Sequence, residues 1–124
     1  RSRFGCQAEH LIGESLAAAG GVVLAARWRC RGGELDLVVR LGEMVLFVEV
    51  KGRTGRGWDQ GGLEAVGALK RTRLVRAAEV FLIKHPELAG LACRFDVALV
   101  EKRPDGSLRL GAYLADAFRL EDVP

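Results

Sequence analysis

Met44-Val45-Leu46-Phe47-Val48 is an unbroken apolar run, and Glu49-Val50-Lys51 follows it at once. Large apolar residues of β-branched and aromatic type in such a run read as a buried strand. Side chains alternate along a strand, so Glu49 and Lys51 point to the same side. Any fold for this chain must therefore accommodate a carboxylate and an ammonium on one face at the end of a buried strand.

The rest of the chain can be placed around that strand. Residues 6–19 read as a helix ended by Gly20-Gly21. Val22 to Cys30 reads as a strand with Arg27, Arg29 and Arg31 along one side and Ala26, Trp28 and Cys30 on the other. Strands are also expected at 35–40, 44–51, 93–100 and 108–114, with a turn at Pro104-Asp105-Gly106. Residues 52–62 form a glycine-rich loop, and a helix is expected from about 63 to 84, stopped before Pro86. Its apolar stripe is Leu63, Val66, Leu74, Ala77 and Phe81. The order α-β-β-β-α-β-β predicts an α/β fold around a mixed sheet.

A length of 124 residues suits one domain, here 1–124, and 49% apolar residues suffice for a core. No apolar run approaches the roughly 18 residues of a membrane span, so no membrane partner is expected. Three cysteines without a C-x-x-C suit a reducing, cytoplasmic setting and argue against a disulfide framework or a zinc site. The chain opens at Arg1 rather than at a methionine, which leaves the true N-terminus open.

The net charge of +3 says little, but its distribution says more. Lys51, Arg53, Arg56, Lys70, Arg71, Arg73 and Arg76 face only Asp59 and Glu64 over the same span. Arginine holds its charge and binds phosphate bidentately, so a polyanionic partner is one reading and a solvated basic face the other. Arg53, Arg56, Lys70 and Arg73 are the candidates for contacting nucleic acid.

Gly42-Glu43 is a plausible two-residue loop with Gly first, as a type II′ turn prefers. Pairing outward sets 40 against 45, 38 against 47 and 36 against 49. Asp36 then faces Glu49 on the same side as Lys51. Two carboxylates roughly 5 Å apart repel by about 3 kcal/mol at an effective dielectric of about 20. A shared proton, the Lys51 charge or a divalent cation would relieve this. On the first helix, Glu9, Ile12 and Leu16 are spaced so that Glu9 borders the side facing the sheet. Lys70 occupies an apolar stripe position, where a lysine either snorkels outward or reaches toward the anionic site. Glu9, Asp36, Glu49 and Lys51, with Lys70 nearby, are oxygen and ammonium groups without a histidine cluster or thiolate pair. They favour Mg²⁺ or Mn²⁺ over zinc. Such a site suits phosphodiester hydrolysis, with Lys51 orienting a water or neutralising the phosphate. The plainer reading of Glu49 and Lys51 is an exposed ion pair worth at most about 1 kcal/mol.

Asp36, a twelve-residue gap and Glu49-Val50-Lys51 resemble the PD-(D/E)-x-K signature of restriction-endonuclease-like nucleases. The longer string GELDLVV…VLFVEVKGR, with Ala8-Glu9 upstream, Lys70 downstream and RFDV at 94–97, resembles the bacterial YraN family of predicted endonucleases. The resemblance runs from about residue 6 to residue 100; Leu35 stands where the signature has proline. It implies a restriction-endonuclease-like core related to Holliday junction resolvases, a mixed five-stranded sheet flanked by helices. It also implies Glu9, Asp36, Glu49 and Lys51 as catalytic residues and Asp36, Glu49 and Val50 as metal contacts for Mg²⁺ or Mn²⁺. The expected activity is DNA cleavage, with branched or flap DNA as substrate. The sequence gives no oligomeric state; branched-DNA cutters are often two-fold symmetric, which keeps a homodimer open. A nucleic-acid-binding module of this fold without cleavage, and a structural partner protein, are the alternatives.

Other residues carry blander expectations. Trp28 reads as core; Trp58, in the polar loop, suits exposure or base stacking equally. Asp96 is expected to pair with Arg94 or cap local backbone. His10 and His85 lack metal-ligand spacing, and the cysteines read as small apolar fillers.

Overall fold

The computed structural model describes residues 3–54 and 67–119. Helix α1 spans Arg3–Ala18, followed by strands β1 (Val22–Cys30), β2 (Gly33–Leu41) and β3 (Met44–Thr54). Helix α2 spans Ala68–Lys84, and a short 3-10 turn at Pro86–Leu88 leads to β4 (Ala92–Lys102) and β5 (Leu108–Phe118). The five strands form one mixed sheet in the order β1-β2-β3-β4-β5, flanked by the two helices. β3 and β4 pair in parallel, and all other neighbours are antiparallel. A parallel pair needs a crossover, which α2 supplies.

Each helix covers one face of the sheet. Leu74, Val75, Ala77, Ala78 and Phe81 of α2 pack with Val38, Val45, Phe47, Phe95, Val97 and Leu99. Ala8 and Ile12 of α1 pack with Leu37, Val39, Leu46, Val48, Val50, Ala98 and Val100. β3 sends alternate residues into both cores, which is why its sequence is continuously apolar. Phe81 is fully buried, with Trp28 edge-on to its ring at 5.2 Å and His85 stacked on it at 4.0 Å. Truncating such a ring to alanine costs about 3–5 kcal/mol. Trp28 is thus partly buried against the α2 core, as expected. Among the described residues, no helix is long and apolar enough to cross a membrane.

The β2–β3 hairpin has the expected register, with Leu41 opposite Met44, Arg40 opposite Val45 and Val38 opposite Phe47. Gly42 has φ +61, which the first position of a primed turn requires. Other expectations need correction. β3 continues through Gly52, Arg53 and Thr54, so the predicted loop does not begin at 52. Extended Gly67 (φ −76, ψ 172) precedes Ala68, the first residue of α2. The earlier part of the predicted helix, with Leu63 and Val66, lies outside the described residues, as do Arg56 and Trp58. Regular alternation of Arg27, Arg29 and Arg31 also fails. The β1 register shifts between Val23 and Ala25, and Arg27 has a left-handed φ of 50. Arg27 consequently meets α1, with Nη1 donating to Cys6 Sγ at 3.1 Å, while Arg29 lines a groove with residues of α2.

Candidate functional site

The hairpin ladder runs from Leu41–Met44 to Leu37–Val48. One step further on, the Asp36 side chain meets β3: its Oδ2 accepts a hydrogen bond from Val50 N–H at 2.9 Å. Glu49 points into the α2 side of the sheet, in alternation with Val45 and Phe47. Both acids are almost completely buried, at 5% and 4% exposure, and Glu49 lies within hydrogen-bond reach of Asp36. They border a crevice of about 10 Å³ lined also by Leu35, Phe47 and Leu74. That is about the smallest space that holds one water.

Two ammonium groups attend the pair. Lys70 Nζ lies 3.0 Å from Glu49 Oε1, and Lys51 Nζ lies 3.7 Å from the same oxygen. Both side chains are partly exposed, at 41% and 34%. Of the two directions open to the stripe lysine, Lys70 therefore takes the inward one and spans from solvent to the buried acid. Burial pushes the Glu49 carboxyl up to about 7, the neighbouring Asp36 adds to the rise, and the Lys70 ammonium opposes it. Protonation of Glu49 removes one of two adjacent negative charges.

Glu9 is also buried, but it sits on α1, which covers the opposite face. Its Oε1 is 3.8 Å from Arg27 Nε, and it borders a separate groove of about 410 Å³ between α1 and β1. The structure thus brings Asp36, Glu49, Lys51 and Lys70 together and gives Glu9 a different neighbour in Arg27. Among the described residues, no three His, Cys, Asp or Glu side chains converge closely enough to hold a metal. The buried pair offers carboxylate oxygens and no imidazole or thiolate, a donor set that fits a hard cation. Magnesium commonly takes one or two carboxylates and keeps several waters.

The remaining candidates fall into two groups. Arg73 is exposed on α2 near Lys70, and Arg53 lies in β3 opposite Glu101 of β4. Asp96 belongs to a structural brace. Its carboxylate accepts two bonds from Arg94, at 2.8 and 2.9 Å, one from Tyr113 Oη at 2.6 Å and one from Asp116 N–H at 2.8 Å. A buried carboxylate with this many donors is satisfied where it stands. Burial first, and then the bond to Asp96, raise the Tyr113 hydroxyl above its ordinary range. Sequence spacing pointed to Arg94 but held no signal for Tyr113 or Asp116, which arrive from β5. His10 is exposed and pairs with Glu14 one turn on, and Cys93 is exposed.

Fold and site together define an α/β protein with a buried, lysine-flanked carboxylate pair at the open end of a β-hairpin. Residues 8–100 match the family described as uncharacterised protein family UPF0102, and the chain belongs to that family. A UPF0102 protein of Gloeobacter violaceus is 62% identical over 118 residues, covering 95% of this chain and 94% of its own. One from Synechococcus sp. (strain JA-3-3Ab) is 58% identical, covering 90% of this chain and 88% of its own. One from Xanthomonas campestris is 43% identical, covering 98% and 96%.

Proposed function

We propose that this protein is a metal-dependent nuclease that hydrolyses phosphodiester bonds in DNA. The observation that carries the reading is the buried Asp36–Glu49 pair with two lysines on the same Glu49 oxygen. Burying two adjacent acids is costly, and the one backbone hydrogen bond from Val50 N–H to Asp36 does not require Glu49 beside it. Asp36, Glu49 and the Val50 carbonyl would hold Mg²⁺ or Mn²⁺. When bound, the cation would supply charge stabilisation at the phosphate and a more acidic water. Glu49, whose carboxyl burial raises, would give up its proton to hold the cation. Lys51, solvent-accessible at the mouth, orients the attacking water or offsets charge growing on the phosphate. Lys70 opposes the rise of the Glu49 carboxyl and holds the side chain in place.

A second reading, binding without cleavage, is favoured by the separate placement of Glu9 against Arg27. Incubating the protein with duplex, flap, single-stranded and four-way DNA in Mg²⁺ or Mn²⁺ separates the two. Cleavage that disappears in Asp36→Asn supports the nuclease. Salt-sensitive binding without cleavage of any substrate supports the module. The panel also tests whether branched substrates are preferred, and sedimentation tests the homodimer.

A further inference from the structure

A second groove, of about 520 Å³, opens beside the carboxylate pair. The turn between β1 and β2 forms one wall and the N-terminal half of α2 the other, with Arg29, Gly32, Gly33, Glu34, Lys70 and Arg73 in its lining. Gly33 brings the walls together: a Cβ there would lie 2.9 Å from the Arg73 carbonyl oxygen and 3.1 Å from Ala77 Cβ. This close approach sets cations from β1 and α2 around one opening, although they are far apart in sequence. Arg29 is 73% exposed and 3.6 Å from Glu34, the one acid in that lining.

The charge on α2 runs against its own dipole. Its first turn has no acidic residue, Gly67 makes no side-chain cap, and Lys70, Arg71 and Arg73 follow. A helix N-terminus carries partial positive charge, so cations there are unfavourable unless an anion sits among them. The groove opens beside Lys70 and Arg73 of this half of the helix. Lys70 belongs to both places, lining the groove while its Nζ touches Glu49.

We infer that this groove seats a backbone phosphate of the bound nucleic-acid strand, next to the phosphate that meets Asp36 and Glu49. The inference rests on the nuclease reading and adds the path of the strand to it. Arg73 and Lys70 hold the phosphate at the α2 side, away from Glu34, and Arg29 closes over it from β1. Lys70 thereby links the two subsites.

Labelled duplex DNA and a single-stranded oligonucleotide are titrated with protein in EDTA across a series of salt concentrations. The variants are Arg29→Ala/Arg73→Ala and, as a charge-matched control on the β4–β5 hairpin, Arg103→Ala/Arg109→Ala. The groove variant is expected to lower the slope of log K against log salt by about one on duplex DNA, the loss of one phosphate contact, and the control by less than half of that. An unchanged slope in the groove variant, an equal loss in the control, or no salt-dependent binding by the wild type overturns the inference. The nuclease reading is scored separately by cleavage in Mn²⁺. Asp36-dependent cleavage with an unchanged groove slope sinks only the groove. A lowered slope without cleavage upholds the groove and sinks the nuclease.

Discussion

Lys70 of α2 places its ammonium nearer to Glu49 Oε1 than Lys51 does, although Lys51 stands two positions along the same strand. A carboxylate buried on β3 thus takes its main counter-charge from the far side of the crossover. Lys51, on the more distant contact, is left for the substrate.

Removing the Lys70 charge should push the Glu49 carboxyl further above 7, because the ammonium is what opposes burial and Asp36. Carboxyl-labelled glutamate followed by NMR in metal-free Lys70→Met reads this directly. An unchanged or lower Glu49 value would show that the contact carries no electrostatic weight.

The same raised value makes stability depend on pH. Glu49 moves from 4.5 to about 7 on folding, so between those values the folded protein binds more protons than the unfolded chain. The contribution of Glu49 is greatest below pH 4.5 and is lost as pH rises toward and through 7, by roughly 3 kcal/mol in full. Urea unfolding in EDTA should therefore show wild type losing stability from pH 5 to 8 relative to Glu49→Gln. Parallel curves for the two proteins would contradict the buried, protonated Glu49.

Asp36→Asn keeps an acceptor for Val50 N–H while removing one negative charge. Manganese affinity should fall by at least about tenfold. Metal-free stability should stay level or rise by up to about 1 kcal/mol, since the repulsion is relieved. A clear loss of metal-free stability would make Asp36 a structural residue.

Glu49 and Lys51 should separate on mutation. Glu49→Ala should lose both manganese binding and cleavage. Lys51→Ala should bind manganese at least as well, with cleavage down by about a hundredfold or more. Calorimetric titration beside single-turnover cleavage decides the matter. Equal loss of metal affinity in both would make the pair a folding unit.

Gly33→Ala should destabilise the protein by about 1–3 kcal/mol, because the new Cβ meets helix backbone that has no room to yield. Urea unfolding reads the cost, and Gly106→Ala on the exposed β4–β5 turn, with φ +90 and nothing nearby, is the comparison for backbone strain alone.

The hairpin was legible because Gly42 and the alternation of Val38 and Phe47 both set the same register. The α/β order was legible because α1 and the described part of α2 show a helical apolar period and β3 an unbroken apolar run. Arg27 was not, since a left-handed residue inside a strand leaves no trace in residue type. The stripe position of Lys70 was consistent with either direction, and only the docking of α2 on the sheet decides it. Glu9 bordered the sheet-facing side as read, but spacing along one helix carries no information about which face of the sheet that helix covers.

The parallel pairing of β3 with β4 also imposes an order in time. In a chain made from its N-terminus, the residues of β2 and β3 leave the ribosome before those of α2 and β4. Hairpins close in microseconds, whereas synthesis adds about 5–20 residues per second. If the hairpin closes ahead of α2, the two acids meet wet and without Lys70. Docking of α2 then does two things in one event: it dries the pair and delivers the charge that makes the drying tolerable. A nascent chain stalled before Lys70 emerges would hold a hairpin whose acidic end still prefers water.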